Sequence, residues 1–393
     1  MLKSAHTKRL AFAVAMTATL GTTFVGGSAQ ADPKQLTAAV GVGSDTTQEI
    51  MNAVTGFTNG INYTPIQSSS ASGYRQVISF DALPPAGVAD ACITPKVGGP
   101  TFARPNGSSA GRKALSRAQD GTKYGSVACG GVQDVAGLVD FARSSAGPAS
   151  GDVGTALTYV PFGRDGMSFA YYRAAGTPVT SLTRAQLTTL FTTGAQTVGG
   201  VRILPCGIQT NSGTYAFWNL VTTASSTTEN TATTECNALL AAGRAEENAG
   251  DQLKARGDAA DAATPGTQVI IGFSAGSFIA KSNLVSPGTP PAGVGIGSID
   301  DAGIITSPVL GTAPNLTPNS VHYASTIYGR NVYNVFPTAV ITSAFGNDDL
   351  KSLFSGTTSA MCSATATIEK FGYQTIATCG STTLKGSLIS GQL

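Results

Sequence analysis

The residues best suited to chemistry lie in Cys206-Gly207-Ile208-Gln209-Thr210-Asn211-Ser212-Gly213-Thr214-Tyr215-Ala216-Phe217-Trp218. An apolar strand-like run, Val201 to Leu204, precedes the Ser-Gly-Thr, and an apolar helix-like run, Tyr215 to Val221, follows it. Ser212 and Thr214 bring two hydroxyls to the start of a helix, where backbone N–H groups lack intrahelical partners. Gly213 has no Cβ, so a ligand can approach the main chain there. These donors and the positive end of the helix dipole suit an anion. The same residues also read as an ordinary N-cap with no ligand. A second candidate is Gly272-Phe273-Ser274-Ala275-Gly276, which follows an apolar strand and fits the G-x-S-x-G turn of a hydrolase nucleophile. Asp300 or Asp301 and then His322 complete the Ser, Asp, His order. Against hydrolysis, only 47 residues separate Ser274 from His322, no His-Gly-Gly motif precedes them, and 48 glycines make such patterns common by chance. Neither a Walker phosphate loop nor a zinc-protease helix motif is present.

The elements that must position these residues alternate between strand and helix, the pattern of an α/β protein. Leu36 to Val42 reads as a strand, Gly43-Ser44-Asp45-Thr46-Thr47-Gln48 as a hydroxyl-rich loop, and Glu49 to Phe57 as a helix. Asp45 and Gln48 stand at capping-box spacing. Asn62 to Ser68 reads as a second strand, followed by a small-residue loop from Ser68 through Ser70 to Gly73. Residues 82–137 are rich in Gly, Pro and Ser, too long for a bare connector, and read as an insertion that is either functional or decorative. Leu138 to Ala142 is a strand running into Arg143-Ser144-Ser145. Gly163-Arg164-Asp165-Gly166 splits the apolar stretch from Thr158 to Tyr172 into two runs. Thr183 and Gln186 form a capping box ahead of Leu187 and Leu190. Cys236 to Ala263, Ala-rich with mixed charges, reads as a solvent-facing helix or helix pair, and Gln268 to Ile271 as a strand.

Residues 1–31 read as an export signal. Lys3, Lys8 and Arg9 precede an apolar core, and Ala29-Gln30-Ala31 is a small-x-small cleavage site. The mature chain is therefore expected outside the cytoplasm, secreted or wall-associated, or periplasmic where the host has an outer membrane. Without those three basic residues, 21 Lys and Arg face 22 Asp and Glu, so no basic face is expected and nucleic acid is not an expected partner. Only 12% of the residues are charged, so an anion site here must lean on hydroxyls and backbone dipoles. The six cysteines of an exported chain imply disulfides. Sequential pairing, Cys92–Cys129, Cys206–Cys236 and Cys362–Cys379, closes three modest loops. No pair has the CxxC spacing of a metal or redox site. About 362 mature residues exceed one comfortable core and point to two lobes.

The ordered set of hydroxyl loops resembles the phosphate-binding proteins of bacterial ABC importers, within the type 2 periplasmic-binding-protein fold. The similarity runs from roughly Leu36 to the C-terminus, interrupted at 82–137. It implies an α/β fold of two lobes with a cleft between them, one lobe from 36–171 with 331–393 and the other from 172–330. It also implies a non-enzymatic, monomeric binding protein without a cofactor, taking a small oxyanion (phosphate or sulfate) and delivering it to an importer permease. The family's Thr loop corresponds to Asp45-Thr46-Thr47, and its Ser-Ser-Gly loop to Ser68 through Gly73, including Ser70. Its Ala-Ser-Asp loop corresponds to Arg143-Ser144-Ser145, and its Arg-x-x-x-Ser-Gly-Thr loop to Ile208 through Ser212, Gly213 and Thr214. Two positions depart: Ile208 stands for the family's Arg, and Ser145 for the Asp that accepts the proton of hydrogen phosphate. Arg143 is the expected substitute charge and Asp45 the expected substitute acceptor. A secreted binding or adhesion module that kept the scaffold and lost its small ligand is the alternative.

Overall fold

The structure, a computed structural model, describes residues 39–55, 77–84 and 91–392. The export signal, the second strand and Ser70 lie outside the described residues.

The sheet strands that frame the molecule are β1 (Ala39–Gly43), β2 (Val77–Ser79), β3 (Phe141–Ser144), β4 (Leu157–Arg173), β5 (Gln196–Val198), β6 (Val201–Pro205), β7 (Gln268–Ser274) and β8 (Gly329–Pro337). Their spatial order is β5-β6-β7-β4-β8-β3-β1-β2. This is two sheets in tandem, since β4 serves them with different halves of its length. Leu157 to Gly166 pairs antiparallel with β8, and Met167 to Arg173 pairs antiparallel with β7. Parallel pairing of β1 with β2 and β3 builds the first lobe, and of β6 with β7 the second. The molecule is thus a two-lobed α/β protein. Gly163-Arg164-Asp165-Gly166, which splits the two apolar runs in sequence, lies inside one 17-residue strand. Glycine at 166 is required by packing, because a Cβ there would come within 2.6 Å of the Tyr323 ring.

Helices cover both faces of each sheet, which is why β1 and β7 are buried along their whole length. In the first lobe, α1 (Gln48–Val54) contributes Ile50 and Met51 to a core with Phe141, Phe336 and Phe354. On the opposite face α2 (Ser108–Asp120) packs Ala114 and Leu115 against Tyr124 and Tyr159. In the second lobe α3 (Arg184–Thr193) and α4 (Gly213–Val221) place Leu187, Leu190, Phe191 and Trp218 on Ile203 and Ile270. On its other face α5 (Gly250–Ala263) sets Leu253 and Ala260 against Val269 and Ile271. The chain continues from β7 directly into α6 (Ala275–Ser282).

Two expectations are corrected here. The 82–137 stretch, expected as an insertion either functional or decorative, is structural, because α2 within it forms a layer of the first lobe. The Cys236 to Ala263 stretch is not solvent-facing throughout: Leu253, Arg256 and Ala260 of α5 are buried. The three sequential disulfides are present. The capping box of Thr183 and Gln186 is present with both of its bonds. Among the described residues, no helix is long and apolar enough to cross a membrane.

Candidate oxyanion site

Ser212 is the N-cap of α4: its hydroxyl accepts from the backbone N–H of Thr214 at 2.9 Å and of Tyr215 at 3.1 Å. That leaves the hydroxyl proton free to donate outward, and it donates to the carboxylate of Glu247. The same carboxylate accepts from the N–H of Asp45 at 3.1 Å, of Thr46 at 3.4 Å and of Thr214 at 3.4 Å. Its Oε1 takes the two donors of the first lobe and its Oε2 the two of the second. An anionic group thus sits where the two hydroxyl loops meet, and it belongs to the chain itself. Glu247 is 2% exposed.

Around it the lobes touch directly. The Thr46 and Thr214 hydroxyls are 3.1 Å apart, and Arg330 Nη2 donates to Thr214 Oγ1 at 3.0 Å. Gly213 lies against Ser108 and Ser145, where a Cβ would fall 2.5 Å from each hydroxyl oxygen. The Ser145 backbone N–H donates to Ser108 Oγ at 3.0 Å, and the Ser109 N–H to the Asn211 carbonyl at 2.9 Å. Gly107, the N-cap of α2, has φ +95°, and a Cβ on it would lie 2.5 Å from the Asn211 carbonyl oxygen. The neighbours of Glu247 complete the bridge. Asn106 donates to Glu246 at 2.9 Å, and Asn248, itself at φ +58°, donates to Asp45 Oδ2 at 3.2 Å and Thr46 Oγ1 at 3.3 Å.

The expected charge and acceptor take particular places. Arg143 is fully buried, and its guanidinium donates to the Ser44 and Gly43 carbonyls and to the Ser79 hydroxyl. Burial pulls its pKa down to about 10. Ser144 turns its hydroxyl to the Ala146 carbonyl. Thr47 is the N-cap residue of α1 without a side-chain cap bond, so the capping box expected of Asp45 and Gln48 does not form. Asp45 instead lines a small cavity of about 20 Å³, shared with Glu49, Ser277, Lys281 and Tyr373. Burial pushes the Asp45 carboxyl up to about 7, with Lys281 opposing and Glu247 reinforcing the shift. Burial does the same to Glu49, with Asp81 adding to it.

The cation that donates to the Ser-Gly-Thr loop among the described residues is Arg330, at the start of β8. Its Nε and Nη2 donate to Asp165 Oδ2 at 3.1 and 2.9 Å, both side chains being buried. Its Nη1 is buried without a hydrogen-bond partner among the described residues, as are the Ser44 and Thr47 hydroxyls. Sequence reasoning missed Ser108, Glu247, Asn248, Asp165 and Arg330. The only signal for Arg330 was a cation at the edge of an apolar strand.

The hydrolase arrangement is not assembled. Ser274 donates to Asp165 Oδ1 at 2.9 Å and accepts from the Ser277 N–H at 3.1 Å, which makes it the N-cap of α6. His322 has its Nε2 on the Met167 carbonyl at 2.9 Å and its Nδ1 on the Thr306 hydroxyl at 3.0 Å. The carbonyl can only accept, so Nε2 carries the proton and Nδ1 receives one from Thr306. Burial lowers the His322 pKa and favours this neutral form.

No protein-family model matches this chain, and no curated protein does. Several solved structures are similar to it in fold. A phosphate transport receptor of the ABC type from Vibrio cholerae is 14% identical over 86% of this chain and 100% of its own, at a TM-score of 0.45. The ancestral soluble variant of the human phosphate binding protein is 13% identical over 87% of this chain and 91% of its own, at 0.47. A phosphate binding protein from Stenotrophomonas maltophilia is 13% identical over 87% and 91%, at 0.44.

Proposed function

We propose that this chain is an exported solute-binding protein whose cleft captures a small oxyanion, phosphate foremost, for an ABC-type importer. The observation that carries the reading is the convergence of three backbone N–H groups and the Ser212 hydroxyl, from both lobes, on one carboxylate. Donors that hold two carboxylate oxygens are chemically suited to the oxygens of phosphate or sulfate. Arg330 supplies the charge that Ile208 cannot, at the cost of sharing it with Asp165. Asp45, poised near neutrality by burial, is the acceptor for the proton of hydrogen phosphate.

One observation favours a second reading. The cradle already holds Glu247, as it would in a binding or adhesion module that has replaced its small ligand with an internal anion. Thermal melts of the mature protein separate the two, because a ligand of the native state raises the midpoint. At phosphate about a hundredfold above its Kd the native state gains about 2.7 kcal/mol, a rise of a few degrees. A midpoint unmoved by millimolar phosphate, sulfate and other oxyanions favours the module.

A further inference from the structure

Glu247 reaches the cradle from a tight turn, between Glu246 held by Asn106 and Asn248 held by Asp45 and Thr46. Lys281 fixes the same turn by donating to the Asn248 carbonyl at 2.7 Å, and Asn248 Oδ1 accepts from the Ser274 N–H at 3.1 Å. The carboxylate is therefore tethered within bonding distance of the donors, at an effective concentration on the millimolar scale or above. Every backbone donor it occupies is one that an incoming anion would need. We propose that Glu247 is the selectivity residue of the cleft, a resident carboxylate that a soluble anion must displace.

This inference rests on the oxyanion reading and deepens it. A planar carboxylate offers the cradle two oxygens, and a monocarboxylate such as formate offers no more, so it has no advantage over the tethered group. A tetrahedral dianion brings four oxygens and twice the charge. It can engage the same four donors, and its second charge suits Arg330, whose Nη2 already donates to Thr214 Oγ1 beside them. The resident carboxylate thereby rejects weak monoanions and sets the threshold that phosphate or sulfate must exceed.

The test is titration calorimetry of the mature wild type, Glu247→Ala and Glu247→Gln with inorganic phosphate, sulfate and formate. A ligand competing with an occupant present more than nine-tenths of the time binds at least about tenfold more weakly than its intrinsic affinity. Glu247→Ala should therefore tighten phosphate and sulfate about tenfold or more, and formate should become measurable. Glu247→Gln keeps the side chain's volume and one acceptor oxygen. It should fall between the two, and it carries the test if the alanine variant fails to fold. Phosphate binding by a variant alone, with none by wild type, also supports the proposal. Binding by wild type that is equal or tighter than by both variants overturns it and leaves the oxyanion reading standing. Weakened phosphate with strengthened sulfate overturns it too, because Glu247 would then be accepting a proton from the ligand. No heat with any anion in any of the three folded proteins overturns both readings.

Discussion

Asp45 and Glu49 are acids whose surroundings hold them well above the usual carboxylate range. Both residues are partly buried, and loss of water around their carboxyls pushes each up to about 7. Each keeps its proton in the folded protein at pH values where the unfolded chain has released it. Folding therefore takes up protons between the ordinary values of 3.8 and 4.5 and about 7. Their contribution is full below the lower values and is lost as pH rises through the upper one. The ligand-free protein should accordingly melt at a higher temperature at pH 5 than at pH 8. An Asp45→Asn, Glu49→Gln double variant should show a smaller difference between those two pH values. A wild type that melts equally at both, or higher at pH 8, contradicts this account. The same residue tests ligand chemistry. Asp45→Asn should weaken phosphate and leave sulfate equal or better, as expected for loss of a proton acceptor, while a variant that binds both anions as wild type does removes Asp45 from the site.

Among the elements, the crossing strands decide whether the lobes stay in register. β4 runs from one sheet into the other, and Asp165, one residue before the switch, holds Arg330 of β8, the Ser274 hydroxyl and the Gly276 N–H. Removing one partner of a buried ion pair leaves the other charge uncompensated, at about 3–5 kcal/mol. Asp165→Ala should lose about that much in urea denaturation. A loss under 1 kcal/mol would mean that water reaches Arg330. These elements also explain what could be read from the chain alone. Local chemistry was legible: Ser212 caps α4, Thr183 and Gln186 box α3, and cysteines adjacent in sequence pair. Period and propensity found the strands that became β1, β3, β6 and β7. What failed depended on contacts distant in sequence. Glu247 meets Thr46 across 201 positions, and nothing in an Ala-rich, mixed-charge stretch distinguishes a carboxylate folded inward from one in water. Gly, Pro and Ser around α2 hid a helix whose apolar face appears only against β3 and β1. Arg143 looked like a ligand residue because of its neighbours, but the carbonyls at the end of β1 claim its guanidinium.

At the scale of the molecule, the lobes are closed upon each other. Gly107 meets Asn211, Gly213 meets Ser108 and Ser145, and the turn at 246–248 crosses from one lobe to the other. Two lobes joined by crossing strands suit hinge closure around a ligand. Here the group enclosed is the chain's own carboxylate, so binding should exchange one anion for another with the cradle's donors kept. The most direct measurement is diffraction from crystals of the mature protein grown at saturating phosphate. The account predicts a tetrahedral anion within hydrogen-bond reach of the Asp45, Thr46 and Thr214 N–H groups and the Ser212 hydroxyl, with Glu247 withdrawn. Glu247 still seated on those four donors, with the cleft free of phosphate, would contradict it.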